Sequence, residues 1–200
     1  MELDEELRLG LGAALNEADL CDLRIHDRRG EVQLLFQVLT LPPEGPEPED
    51  RRRVLACQGV ARLVAALRHE PRPDGRAVVA PLALRELPAV VRSFGCQPVY
   101  GWEFFDLAYD PATSWRAVPS IDYSFGKGRG AHSLDLFQQG VGGDRRRLDL
   151  RVEFDVLEVT DPSGAEVPLA EFAAGGRRWW AAFSEGDPRT AGHGISRPES

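Results

Sequence analysis

The stretch RLDLRVEFDVLEVTD, residues 147–161, constrains the fold more than any other part of the chain. Leu148, Leu150, Val152, Phe154 and Val156 stand at every second position, with Asp149, Arg151, Glu153 and Asp155 between them. Successive side chains of a strand point to opposite faces, so this spacing predicts a strand with one dry face and one wet face. Such a strand belongs in an antiparallel sheet. After Val156 the apolar positions move to Leu157 and Val159. One extra residue produces that change of phase, and a β-bulge is expected near 156–157.

Other segments supply partners for this strand. DLRIH, the turn DRRG at 27–30 and EVQLLFQVLTL read as a hairpin, with Val32, Leu34, Phe36 and Val38 on one face. RRRVLACQGVARLVAALR reads as two strands meeting near Gly59, in preference to a helix from Val60. PVYGWEFFDLAY and SWRAVPSIDYSF are aromatic-rich strands, and DPSG at 161–164 is a turn leading to a short returning strand EVP. PPEGPEPED at 42–50 is a proline-rich acidic loop that cannot pair inside a sheet. Helices are expected within 2–18 and over LRELPAVVRSFG, where Pro88 fits the first turn and Gly95 the end. The echo of LFQ followed by DRRR, at 35–53 and again at 136–147, has no fixed period and reads as chance in an arginine-rich chain. Together these elements predict an α+β fold. Its predominantly antiparallel twisted β-sheet has roughly six to nine strands, with two or three covering helices on one face. An open sheet of that size needs its edges blocked. With 42% hydrophobic residues in 200, one core is expected over residues 1–185, followed by a polar, flexible C-terminal tail at 186–200.

The net charge of −8 argues against nucleic acid, which is held by basic patches that displace counterions from phosphates. A macromolecular partner of such a chain is expected to be basic. Lys127 is the single lysine among 24 basic residues, the mark of a GC-rich bacterial gene, so arginine clusters carry little information by themselves. The acidic start MELDEELRLG does not resemble a signal peptide, and no apolar run reaches the roughly 20 residues that span a bilayer. No membrane association and a cytoplasmic location are expected. Cys21, Cys57 and Cys96 are odd in number and lack C-x-x-C spacing, so no disulfide framework or thiolate metal site is expected, and Cys57 and Cys96 read as small core residues.

The most unusual stretch is AAGGRRWWAAFSEGDPRTAGHGI, residues 173–195. At about 100° per residue, Leu169, Phe172, Gly176, Trp179, Trp180 and Phe183 fall within an arc of about 100°. A helix covering the sheet with both tryptophans inward is the preferred reading, with close approach at Gly175–Gly176 and a kink there as an option. The functional alternative leaves a tryptophan exposed beside Arg177 or Arg178 as an interface anchor. In YGWEFFD, Trp102 and Phe105 lie on opposite faces of a strand, so either a buried central strand or an exposed aromatic that recruits a partner results. A ligand pocket between the sheet and the tryptophan helix, with Asp187 and His193 at its mouth, is a second possibility. GKGRG at 126–130 could cradle an anion with its backbone N–H groups, but it lacks the Walker pattern and reads as a hairpin loop. His26, His69, His132 and His193 show no metal-ligand spacing, and neither G-x-S-x-G nor a dinucleotide fingerprint occurs. No catalytic residue, cofactor or metal is therefore expected.

The segment LRIHDRRGEVQLLFQV…RRRVLACQGVARLVAALR resembles small β-rich immunity-type proteins of bacterial conflict systems, through a hairpin followed by a G-V-x-x-L segment at Gly59, Val60 and Leu63. The resemblance covers about a quarter of the chain and implies a non-catalytic binder of a toxin or another protein. It carries over no site residue. The expected function is a non-enzymatic cytosolic protein-binding module, an adaptor or immunity-like partner. The alternatives are a ligand-binding protein or enzyme using the tryptophan-helix pocket, and a subunit stable only within a larger complex.

Overall fold

A computed structural model of the chain describes residues 3–69, 78–100, 104–107, 118–193 and 195. Among the described residues, three α-helices and ten strands make an α+β fold around an antiparallel sheet. The order is α1 (Glu5–Leu15), β1 (Asp19–His26), β2 (Glu31–Gln37), β3 (Arg52–Gln58), β4 (Arg62–His69) and β5 (Val78–Val79). Then follow α2 (Leu87–Ser93), β6 (Gln97–Tyr100), β7 (Ile121–Ser124), β8 (His132–Gln139), β9 (Arg147–Phe154), β10 (Val156–Thr160) and α3 (Leu169–Glu185).

The sheet runs β10-β3-β2-β1-β6-β8-β9-β4-β5, with β7 beside β4. Its two ends are joined through the chain. Only Asp155 separates β9 from β10, and only residues 59–61 separate β3 from β4. Val54–Gln58 pair with Val156–Thr160, and Arg62–Arg68 pair with Arg147–Glu153. The sheet thus returns on itself as a barrel, which removes most of the open edges that a flat sheet of this size would have. Between the pairs Arg62–Glu153 and Gln58–Val156 the register changes by one residue: three residues, 59–61, stand opposite two, 154–155, so the extra residue of the bulge lies in the β3–β4 segment and not at the expected 156–157. That bulge bends the β3–β4 segment so that its two halves pair with β10 and β9 in turn.

The core follows the alternation. Val32, Leu34 and Phe36 of β2, Leu63, Ala65 and Leu67 of β4, and Leu148, Leu150, Val152 and Phe154 of β9 belong to one buried cluster. The expected wet face of β9 is not wet. Asp149 and Arg151 are 9% and 7% exposed, and Asp135 of β8 is 9% exposed. Arg151 Nη1 donates to Asp135 at 2.9 Å, its Nε lies 3.3 Å from Glu153, and Arg68 Nε lies 3.3 Å from Asp149. An ion-pair network covers this second face, and Arg151 also reaches the carbonyl of Leu107 at 3.5 Å. Charged residues are buried here because each has a counter-charge across the strand.

Helices α1 and α3 pack closely on each other. A methyl group added at Gly176 would lie 2.5 Å from the Ala14 backbone, and one at Gly10 would lie 2.7 Å from the Ala173 side chain. The glycine that was expected to bring α3 to the sheet therefore brings it to α1. Gly175 instead faces Thr40, and its carbonyl accepts from Leu41 N–H at 3.0 Å. The helix runs through both glycines without interruption and ends at Gly186, whose φ of 82° closes a Schellman motif.

Two cysteine expectations are corrected. Cys21 and Cys96 form a disulfide across 75 residues, joining β1 to the residue before β6. Odd number and wide spacing hid a pair that only the β1–β6 pairing brings together. Cys57 is free and buried as expected, and burial pushes its thiol well above the ordinary range. No helix among the described residues is long and apolar enough to cross a membrane.

Candidate functional site

The residues singled out in the sequence gather largely at one end of α3. Trp179 is fully buried, stacked on Phe183 at 5.2 Å and edge-on to Trp180 at 4.9 Å. Trp180 is partly buried and donates its indole N–H to the Ala13 carbonyl at 2.9 Å. Arg178 bridges from Glu171 to the Leu41 carbonyl, and Arg177 donates to the Glu6 carbonyl at 3.2 Å. Both tryptophans and both arginines thus hold α3 to α1 and to the segment after β2. Phe105 is 5% exposed and bridges Leu134, so it is core and not a surface anchor. Trp102 lies outside the described residues.

The tail is not loose at its start. Asp187 caps a short 3₁₀ turn at Pro188–Thr190 and takes two bonds from the Arg189 guanidinium, at 3.0 and 2.7 Å. The Arg189 side chain holds its carboxyl below the usual range. Arg189 also donates to the Gly45 carbonyl at 3.2 Å. His193, with a side chain 11% exposed, sits edge-on to Trp179 at 5.5 Å. Its Nδ1 meets Arg51 Nη1 at 2.8 Å and its Nε2 meets Glu47 at 3.0 Å. A guanidinium can only donate, so Nδ1 is the acceptor and Nε2–H donates to the carboxylate. Both ring nitrogens are committed, which leaves His193 no lone pair for a substrate proton or a metal. Asp187 is likewise spent on Arg189.

These contacts turn residues 42–50 into an ordered surface. The loop has no helix or strand, yet it is fastened at Leu41 to α3, at Gly45 to Arg189 and at Glu47 to His193. Pro43, Glu44, Pro46, Glu49 and Asp50 are exposed on it. Asp50 is held at about 2 by the Arg52 side chain. Beside the loop lies a cavity of about 440 Å³, lined by Gln37, Glu49, Asp50, Arg51 and Arg52. His193, expected at the mouth of a pocket, packs its ring against Trp179. Neither Asp187 nor His193 lines the cavity.

The glycine loop does bind an anion, and the anion is its own. Asp155, opposite the bulge, accepts from the backbone N–H of Arg129 at 3.0 Å and of Ala131 at 3.1 Å. Those N–H groups hold its carboxyl below the usual range. Gly128 has no room for a side chain, since an added methyl would lie 1.7 Å from the Gly59 carbonyl. His132 and Asp106 pair at 3.1 Å within the core, a contact that no local spacing announced. Among the described residues no group of three or more His, Cys, Asp or Glu could hold a metal.

Comparison with known proteins finds no family model, no curated protein and no solved structure that matches the chain.

Proposed function

We propose that this chain is a non-enzymatic protein-binding module that presents the acidic loop 42–50 to a basic partner. The observation that carries the reading is the fastening of that loop. Nine residues without helix or strand are held by a helix, a 3₁₀ turn and a histidine, with Glu47 turned inward on His193 and Glu44 and Glu49 exposed. Ordering a loop before binding removes the entropy that association would otherwise cost. Fixed carboxylates on an acidic protein also steer a basic partner into register. The resemblance of residues 23–68 to immunity-type proteins supports an adaptor or immunity-like role in a bacterial defence or toxin setting.

Capture of partners from lysate of the source cells, with the native chain and a Glu44→Lys/Glu49→Lys variant as baits, tests this. The partner is expected on the native bait and not on the charge-reversed one, with binding weakened by salt. Equal capture by both baits contradicts the reading. The second reading, a small-ligand protein, is favoured by the cavity beside Arg51. A metabolite that binds there and is lost in Arg51→Met would establish it.

A further inference from the structure

Leu39, Leu41, Trp179, Ala182 and Phe183 form a small apolar cluster separate from the main core. It is roofed from the tail side by the His193 ring, and Ile195 packs against it only partly buried. The roof is incomplete in its polar chemistry. The Trp179 indole N–H has no acceptor although the side chain is fully buried, and Glu47 Oε1 is buried without a donor. Buried polar atoms are normally paired, and here a donor and an acceptor on two residues that His193 touches are both unmet.

We propose that this cluster is the floor of a peptide-binding groove between residues 39–51 and the C-terminal half of α3. The chain's own His193 and Ile195 fill it in cis, and a basic segment of a partner protein, carrying an aliphatic anchor, displaces them. The inference rests on loop 42–50 being the docking surface and adds how that surface opens. The unmet groups define the competitor. A carbonyl placed against Trp179 Nε1 and an ammonium or guanidinium placed against Glu47 Oε1 each make a bond that the tail does not. Exposed Glu44 and Glu49 extend the preference for positive charge along the segment. Arg51, released from His193, becomes available to a carboxylate or carbonyl of the incoming segment. The tail holds its place through tethering, since the turn at Pro188–Thr190, fastened to Gly45 by Arg189, keeps His193 beside the cluster at a high effective concentration. Weakening the tail therefore raises the apparent affinity of any competitor.

The test uses the full chain and a fluorescein-labelled nine-residue peptide with the sequence of residues 187–195 bearing Asp187→Lys, read by fluorescence anisotropy. His193→Ala in the protein is expected to tighten peptide binding at least tenfold over the native chain, and Glu44→Lys/Glu49→Lys to weaken it at least tenfold. A chain truncated after Gly192, which removes His193 and Ile195 and leaves the Arg189–Gly45 bond in place, is expected to act like His193→Ala and guards against a misfolded first variant. Peptide affinity unchanged by both tail variants, or no binding to any of them, overturns the groove. If partner capture still depends on Glu44 and Glu49 in that event, the docking surface stands and the groove alone falls.

Discussion

At the scale of single residues, the chain's most conspicuous side chains are used for holding. Trp179 is the largest fully buried side chain among the described residues, and truncating it to Ala removes the stack on Phe183 and the floor beneath His193. Trp179→Ala is expected to cost about 3–5 kcal/mol, measured by urea unfolding. The carboxylates make a second prediction. Asp50, Asp122, Asp144 and Asp187 are held low mainly by neighbouring arginine side chains, Asp155 by backbone N–H groups and Asp161 by the Ser163 hydroxyl. A carboxyl whose pKa is depressed on folding stabilises the fold fully above its unfolded value of 3.8. That stability drains as pH falls toward the folded value, which for Asp50 is about 2. The urea midpoint is therefore expected to be flat from pH 7 to about 5 and to fall steeply between pH 4 and 2. A midpoint unchanged at pH 2.5 contradicts this.

At the scale of elements, the α1–α3 contact depends on absent side chains. Gly176→Ala gains helix propensity of up to about 1 kcal/mol. It also places a methyl 2.5 Å from backbone atoms of Ala14, which cannot move independently of its helix. The steric term wins, and a net loss of about 1–3 kcal/mol is expected by urea unfolding. Much of this level was legible in the sequence. The alternation in 147–159 located β9, β10 and the break of phase between Phe154 and Leu157, although the extra residue lies opposite in 59–61, and the apolar arc placed α3 with Trp179 inward. The wet face of β9 misled because a period of two reports which residues share a face and not what covers it. Asp149 and Arg151 are covered, and only counter-charges from β4 and β8 make that tolerable. His193 misled for a related reason. Flanking glycines signal freedom, whereas Arg51 and Glu47, more than 140 residues earlier, supply the anchors. The pairing of Cys21 with Cys96 was equally remote, and no spacing rule reaches across 75 residues.

At the scale of the whole molecule, closure of the barrel relies on its thinnest junction. β1 and β6 share two register pairs, and the buried Gln138 side chain donates to Leu20 and Gln97 carbonyls on either side of the gap. The Cys21–Cys96 disulfide spans the same junction. Its reduction is expected to lower stability by about 2–4 kcal/mol, seen as a drop in Tm with dithiothreitol that is absent in Cys21→Ser. On the proposed reading, the fastened loop beside α3 is the surface that meets another protein. Hydrogen exchange of the full chain, with and without its captured partner, tests that claim most directly. The account predicts new protection concentrated in residues 39–51. Protection confined to the barrel end around residues 126–130, or none within 39–51, would contradict it.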